Sequence, residues 1–160
     1  MPKRVLDDWS RIVSLLEETT VGVLATCTEG EPWAVPMNFV YDREANRVYL
    51  HSGLKGRKLD NIRVNPKVMF LVYDPGRLAR ADKACNFGQR YQSVILTGQA
   101  RVVSDQEEKS LALAKLVKKY AAGHNVPPVP ESEIDSVAVI VIEVEDISGK
   151  ENVDPPVRDA

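Results

Sequence analysis

The sequence predicts a mostly-β protein with some α-helix: six antiparallel strands closing into a barrel, with helices packed outside it. Three observations carry that expectation. Trp33, Val35, Met37, Phe39 and Tyr41 alternate with Ala34, Pro36, Asn38 and Val40, the period of two of a strand. The apolar runs are short and mostly joined by tight-turn sequences, as antiparallel strands are. Helical periodicity is confined to segments near the N-terminus, after Gly56 and before residue 121.

In chain order, Asp7 or Asp8 can cap a first helix running to about Glu18, with Trp9, Ile12, Val13 and Leu16 on one apolar face. Residues 21–27 are a β-rich run containing Gly22, and residues 28–32 make a turn. The alternating strand follows, and Pro36 puts it at an edge or a bulge. After a turn at 42–46, residues 47–52 form a strand that feeds a glycine-broken segment and a short helix. The Asn65-Pro66 pair stops that helix. Residues 67–73 read as a strand and 74–90 as a long polar loop. Residues 93–103 read as a strand bent at Gly98, and Ser104 to Glu107 as a capping box. The helix after it carries a stripe of Leu113, Leu116, Val117 and Tyr120. Residues 123–130 are proline-rich turns. Residues 136–144 form a last strand, apolar on both faces and therefore central.

The 160 residues suit one domain, expected over 1–150 with a charged tail at 151–160. Hydrophobic residues make up 44% of the chain, enough for a sizeable core. A net charge of −2 gives no field for nucleic acid. The longest apolar run, residues 137–142, is far too short to span a bilayer. Cys27 and Cys85 form no CxxC pair; Cys27 reads as a small buried hydrophobe and Cys85 as a loop thiol. The first eight residues lack the apolar core of a signal peptide, and a reducing cytoplasm suits both thiols.

The segment from Ser52 to Lys58 is the most distinctive in the chain. It places Lys55, Arg57 and Lys58 within four residues, around Gly56, where a helix begins. Free N–H groups and the positive end of the helix dipole make such a place an anion site. Ser52 adds a hydroxyl, and Gly56 lets a ligand approach the backbone. The segment reads as a phosphate cradle or as a solvated basic turn. It is neither a P-loop nor a dinucleotide fingerprint, because both glycine patterns are missing.

The run His51-Ser52-Gly53 to Gly56-Arg57-Lys58, followed by Asn65-Pro66, resembles the FMN-binding split-barrel family related to pyridoxamine 5'-phosphate oxidase. The run from Gly30 to Asp42, the run from Tyr91 to Gly98, and Ile147-Ser-Gly-Lys150 fit the same family in the same order. The nearest subgroup is similar to nitroimidazole-resistance-type flavoproteins. The resemblance implies a split β-barrel, a six-stranded antiparallel Greek key with flanking helices. It also implies FMN as cofactor and a homodimer with FMN at its interface. By the same likeness, Arg57 and Lys58 hold the FMN phosphate with Ser52 beside them, and Pro36, Met37, Asn38 and Phe39 run along the flavin ring. Met37 and Phe39 can equally be core residues. Tyr91 and Ser93 fall where the family has further flavin or partner-chain contacts, and Lys150 approaches the ring from the partner.

No metal site is expected, because His51 and His124 lack partners at ligand spacing. His124 reads as a surface residue. A lone strand histidine such as His51 is more often structural; the resemblance makes it a site-lining residue and the catalytic candidate. Val35 and Val40 stand where the oxidases proper carry Arg and Lys, and the C-terminal Arg-x-His motif is missing, which argues against vitamin B6 oxidation. The function the resemblance implies is an FMN-dependent oxidoreductase reducing a small molecule, with nitroaromatics as one candidate class. The alternatives are flavin or heme binding without turnover, with His51 as a heme-ligand candidate, or a variant that uses the deazaflavin F420.

Overall fold

The computed structural model describes residues 4–83 and 87–153. Its elements are β1 (Arg4–Leu6), α1 (Trp9–Glu18), β2 (Val21–Thr28), β3 (Glu31–Asp42), β4 (Arg47–Ser52), α2 (Arg57–Val64), β5 (Lys67–Ala79), β6 (Gly88–Val102), α3 (Gln106–Tyr120), α4 (Glu131–Ile134) and β7 (Ala138–Asn152). All strand pairs are antiparallel, in the order β1-β7-β4-β3-β2-β5-β6, and β6 also pairs with β7. That last pairing closes β2 to β7 into the expected six-stranded barrel. The order β5-β2-β3-β4 is a Greek key, and its long connection, from β4 to β5, is the segment that holds α2.

The barrel interior is filled by Leu24, Phe39, Val48, Leu50, Phe70, Val72, Val94, Leu96, Ile140 and Ile142, all fully buried. Phe39 and Phe70 meet edge to face, with ring centroids 5.0 Å apart. Helix α1 adds Ile12, Leu15 and Leu16 to this cluster, and α2 adds Leu59 and Ile62. Because α1 leads into the start of β2 and α2 is fastened to its far end, the two helices mark opposite ends of the barrel. A second cluster lies between the outer face of β4 and β7 and the helices α3 and α4, formed by Tyr49, Val139, Val141, Leu113, Leu116 and Ile134. The β7 segment 137–142 is thus covered on both faces within one chain.

Several element bounds differ from expectation for identifiable reasons. Residues 74–90 are mostly ladder rather than loop: β5 runs to Ala79 and β6 starts at Gly88, with a register shift between Asp74 and Arg77. Pro75 and Gly76 make the sequence read as a turn, yet they occupy the bulge. Strand β7 continues to Asn152, past a register shift at Thr97 and Gly98. A Cβ on Gly98 would lie 2.0 Å from the Glu143 carbonyl oxygen, so only glycine allows that approach. Strand β1 has three residues, too few to show a period, and it pairs with Gly149 to Glu151. The cap of α3 is Asp105, one residue later than the capping-box reading, and its carboxylate accepts from the Glu108 N–H at 2.8 Å. The α1 cap is Asp8. Trp9 is exposed, so the buried face of α1 consists of Ile12, Val13, Leu15 and Leu16. Cys85 and residues 154–160 lie outside the described residues.

Candidate functional site

The segment after β4 turns at Gly53 and enters α2 through Gly56, whose φ of 139° and ψ of 158° strain any L residue. No side chain caps the helix. The Leu59 and Asp60 N–H groups donate to the Gly56 carbonyl, at 2.9 and 3.3 Å, leaving those of Arg57 and Lys58 without intrahelical acceptors. Lys55 and Arg57 are exposed and Lys58 is half-buried. Among the described residues none of the three meets a carboxylate. Asp60, the carboxylate in the first turn, is held by Arg63 at 3.0 Å. The Ser52 hydroxyl donates to the Gly53 carbonyl at 2.9 Å.

Two asparagines fasten α2 to the end of β2. Asn61, buried, donates to the Thr26 hydroxyl at 2.9 Å, and Asn65 donates to the Cys27 carbonyl at 2.9 Å. Thr26 in turn donates to the Trp33 carbonyl at 3.3 Å, and the Trp33 ring lies under the Arg57 guanidinium, 4.6 Å from its carbon. Sequence reading missed Trp33, Thr26 and Asn61 as parts of this site. Only the alternation through Trp33 was visible, and stacking between β3 and α2 is a long-range fact.

Strand β3 supplies an open backbone edge beside the cradle. Residues 31–38 pair with β2, whereas β4 pairs with β3 only from Phe39 onward. Pro36 and Asn38 stand in this half-paired stretch with exposed side chains, as an edge position for Pro36 requires. Met37 and Phe39 turn their side chains into the barrel core, so neither side chain faces a ligand. The Asn38 amide donates to the Thr20 carbonyl at 3.1 Å.

Behind Phe39, the Tyr120 hydroxyl accepts from the Phe39 N–H at 2.7 Å, and its proton faces the Thr20 and Phe39 carbonyls at 2.5 and 2.9 Å. Lys119 donates to the Leu16 and Thr19 carbonyls at 3.1 and 2.7 Å, and its Nζ lies 3.8 Å from the Phe39 ring centroid. Burial pushes the Lys119 amine down to about 8, against the opposing pull of Glu17. Reading Tyr120 as part of an apolar stripe hid this use of its hydroxyl, and nothing in the sequence marked Lys119.

The remaining candidates fall into two places. Tyr91, Ser93 and Lys150 meet on β6 and β7: Ser93 is opposite Lys150 and donates to its carbonyl at 3.3 Å, and the Lys150 Nζ lies 6.0 Å from the Tyr91 ring centroid. A cavity of about 420 Å³ beside them is lined by Arg77, Arg90, Tyr91 and Gln92. Trp33 aligns through Thr26 with Val68, whereas Ser93 aligns with Tyr73. Five residues of β5 therefore separate the two levels, about 17 Å along the strand. The cradle and this trio are not brought together within one chain. His51 is exposed on the outer face of β4, opposite Val139, while the neighbouring Ser52 follows the inward alternation of Val48 and Leu50. His124 is exposed, and its N–H donates to the Ala121 carbonyl. Among the described residues no group of three or more His, Cys, Asp or Glu side chains converges as a metal site would, and no helix is long and apolar enough to cross a membrane.

A closed Greek-key barrel with a cationic helix start on its long connection defines a split-barrel class of protein. The chain belongs to the pyridoxamine 5'-phosphate oxidase family, whose sequence profile matches residues 8–151. No curated protein sequence matches it. Among solved structures, it is similar to a candidate 5-nitroimidazole antibiotic resistance protein from Bacteroides thetaiotaomicron, with 27% identity and a TM-score of 0.79 over 92% of this chain and 86% of that one. It is also similar to a flavocytochrome from Azotobacter vinelandii, with 27% identity and a TM-score of 0.80 over 97% of this chain and 72% of that one. An FAD- and heme-binding protein from Mycobacterium smegmatis shares the fold, with a TM-score of 0.83 at 17% identity over 98% of this chain and 76% of that one.

Proposed function

We propose that this chain is an FMN-binding oxidoreductase that works as a homodimer and reduces a small, flat molecule, with nitroaromatics as the first class to test. The observation that carries the reading is the set of three cations around the N-terminus of α2, which have no carboxylate partners among the described residues. FMN fits on two counts. Its single phosphate matches one cradle, and its ring needs backbone donors and acceptors of the kind the half-paired edge of β3 offers. Bound there, FMN supplies the electron-transfer chemistry that these side chains lack.

In this reading Arg57 and Lys58 grip the phosphate, and Ser52 and the first N–H groups of α2 complete the cradle. Residues 36–38 present backbone to the ring, whereas the Phe39 N–H and carbonyl are engaged by the Tyr120 hydroxyl. Lys150, Tyr91 and Ser93 come from the partner, and their separation from the cradle within one chain supports a site completed by a second copy. An apolar surface also supports pairing: Val23–Leu71–Ile95 and Ala25–Met69–Thr97 form two cross-strand rows on the outer face of β2, β5 and β6, partly exposed and outside both core clusters. The segment 137–142 does not contribute to that argument, because the chain covers it by itself. Sedimentation equilibrium should give twice the chain mass at micromolar concentration, as an interface of roughly 2,000 Å² would maintain. A monomer holding stoichiometric FMN would exclude the shared site.

Vitamin B6 phosphates are not the proposed substrates. Val35 packs against the barrel core and Val40 against the α3 cluster, so neither position offers a cation to a substrate phosphate. His51 is assigned to the substrate side, where it orients the acceptor or gives it a proton. Its replacement by Ala should lower turnover and leave FMN bound. The free Cys27 thiol suits a cytoplasmic location. The deciding experiment combines the visible spectrum and cofactor mass of the purified protein with single-turnover reoxidation of the reduced protein by a nitroimidazole, set beside oxygen alone. Acceleration by the nitro compound supports the reductase. Its absence would favour flavin or heme binding without turnover, the reading that similarity to the A. vinelandii flavocytochrome supports.

A further inference from the structure

Trp33 is 40% exposed, although β3 has a fully buried position available two residues beyond Met37. Its ring is covered on one side by the Arg57 guanidinium, 4.6 Å away. A guanidinium held over an indole face is restrained by the ring yet keeps N–H groups that can fork onto an anion. The backbone of Trp33 is fixed as well. Its carbonyl accepts from the buried Thr26 hydroxyl, which accepts from the buried Asn61 of α2, the helix that Arg57 opens. The indole and the guanidinium are therefore held to one another by a contact between side chains and by a hydrogen-bonded chain through β2. Arg57 has no carboxylate partner among the described residues that could orient it instead.

We propose that Trp33 is a positioning residue that sets the Arg57 guanidinium in the orientation that binds the cofactor's phosphate, and so favours phosphorylated over unphosphorylated flavin. This rests on the cradle reading above. An unstacked Arg57 would lose side-chain entropy on binding that the stacked one has already given up. Discrimination between FMN and riboflavin should therefore depend on Trp33, a residue that need not touch the phosphate.

Apo-protein is titrated with FMN and with riboflavin for wild type, Trp33→Phe, Trp33→Leu, Arg57→Lys and the Trp33→Leu/Arg57→Lys double variant. Trp33→Leu should weaken FMN binding about three- to tenfold and leave riboflavin affinity unchanged, while Trp33→Phe, which keeps an aromatic face, retains most of the preference. Arg57→Lys keeps the charge and loses the planar stack, so it should match Trp33→Leu, and the double variant should be no worse than either. In a Trp9→Phe background, inorganic phosphate should change the Trp33 emission, and Arg57→Ala should abolish that change. An unaltered FMN-to-riboflavin ratio in Trp33→Leu, equal loss of both ligands, or additive losses in the double variant overturns the proposal. Should Trp33→Leu fail to fold, Arg57→Lys and the emission measurement still decide it. If wild type itself binds FMN and riboflavin equally, the cradle reading fails, and the role of Trp33 fails with it.

Discussion

Helices α2 and α3 handle charge differently at their N-termini. Helix α3 follows its dipole: Asp105 caps it, Glu107 and Glu108 lie in the first turn, and Lys118 and Lys119 in the last. Its face also pairs charges, with Arg101–Glu108 at 2.5 Å, Arg47–Glu108 at 3.8 Å, Lys115–Asp42 at 2.9 Å and Lys109–Asp135 at 3.6 Å. At α2, cations gather at the N-terminus, where the dipole disfavours them, and glycine replaces a capping side chain. The first pattern is built for stability. The second leaves an electrostatic cost that a bound anion would relieve, and this is why the cradle, rather than the larger charge network, is the candidate site.

The largest expected effect breaks the α2 side of that contrast. Arg57→Ala and Lys58→Ala should each weaken FMN binding by about 1.5–3 kcal/mol, the range for a lost charged hydrogen bond. Because both cations oppose the dipole, neither substitution should lower the melting temperature of the apo-protein. Titration and thermal melts on the same samples check both statements. A drop in apo stability together with unchanged FMN affinity would make α2 an ordinary structural helix.

The barrel was legible because its strands announce themselves locally: the alternation from Trp33 to Tyr41 and the two-faced apolar run at 137–142 need no partner to be read. The cationic start of α2 was legible for the same reason, since Lys55, Gly56, Arg57 and Lys58 are contiguous. Contacts made by distant residues were not. Asn61 looks like a helix-surface polar residue until Thr26 is beside it, and Lys119 looks like a solvated end-of-helix lysine until the Phe39 ring lies under it. The ladder from Asp74 to Ala79 was hidden by Pro75 and Gly76, whose turn chemistry marks a bulge here. The family likeness implied flavin or partner-chain contacts for Tyr91 and Ser93, and an approach from the partner for Lys150. The register shows that one chain keeps this trio about 17 Å from the cradle along the strand.

Lys119 sharpens the comparison, because it lies at the favourable end of α3 yet is half-buried. Its amine is pushed from an ordinary 10.5 down to about 8. Between those values the unfolded chain holds the proton and the folded chain releases it, so the Lys119 contribution to stability rises with pH across the window and is lost as pH falls through about 8. Urea melts from neutral pH to about 10 should show wild type gaining on Lys119→Met by on the order of 2 kcal/mol, less than the full shift allows because the charged amine keeps two carbonyl acceptors. A difference that stays flat with pH would mean that the two carbonyls and the Phe39 ring hold the charge at little cost.

The smallest expected effect tests the α3 side. Glu108 accepts from both terminal nitrogens of Arg101, at 2.5 and 2.8 Å, and lies 3.8 Å from Arg47. The hydrogen bonds from Arg101 hold its carboxyl below the usual range, with burial working against them. Arg101 is 44% exposed, so solvent screens the pair, and Glu108→Gln should cost only about 1 kcal/mol at neutral pH and less in high salt. A carboxylate with a lowered folded pKa contributes above its unfolded value and loses that contribution as pH falls through the folded one. The wild-type advantage over Glu108→Gln should therefore close in acid. FMN affinity should be the same for both proteins, because the network surrounds the outer face of β4 and β7 while the cradle lies at the far end of β2. If Glu108→Gln instead weakened FMN binding as much as Arg57→Ala does, the two charge patterns would be coupled, and the division between a stabilising face and a binding end would have to be given up.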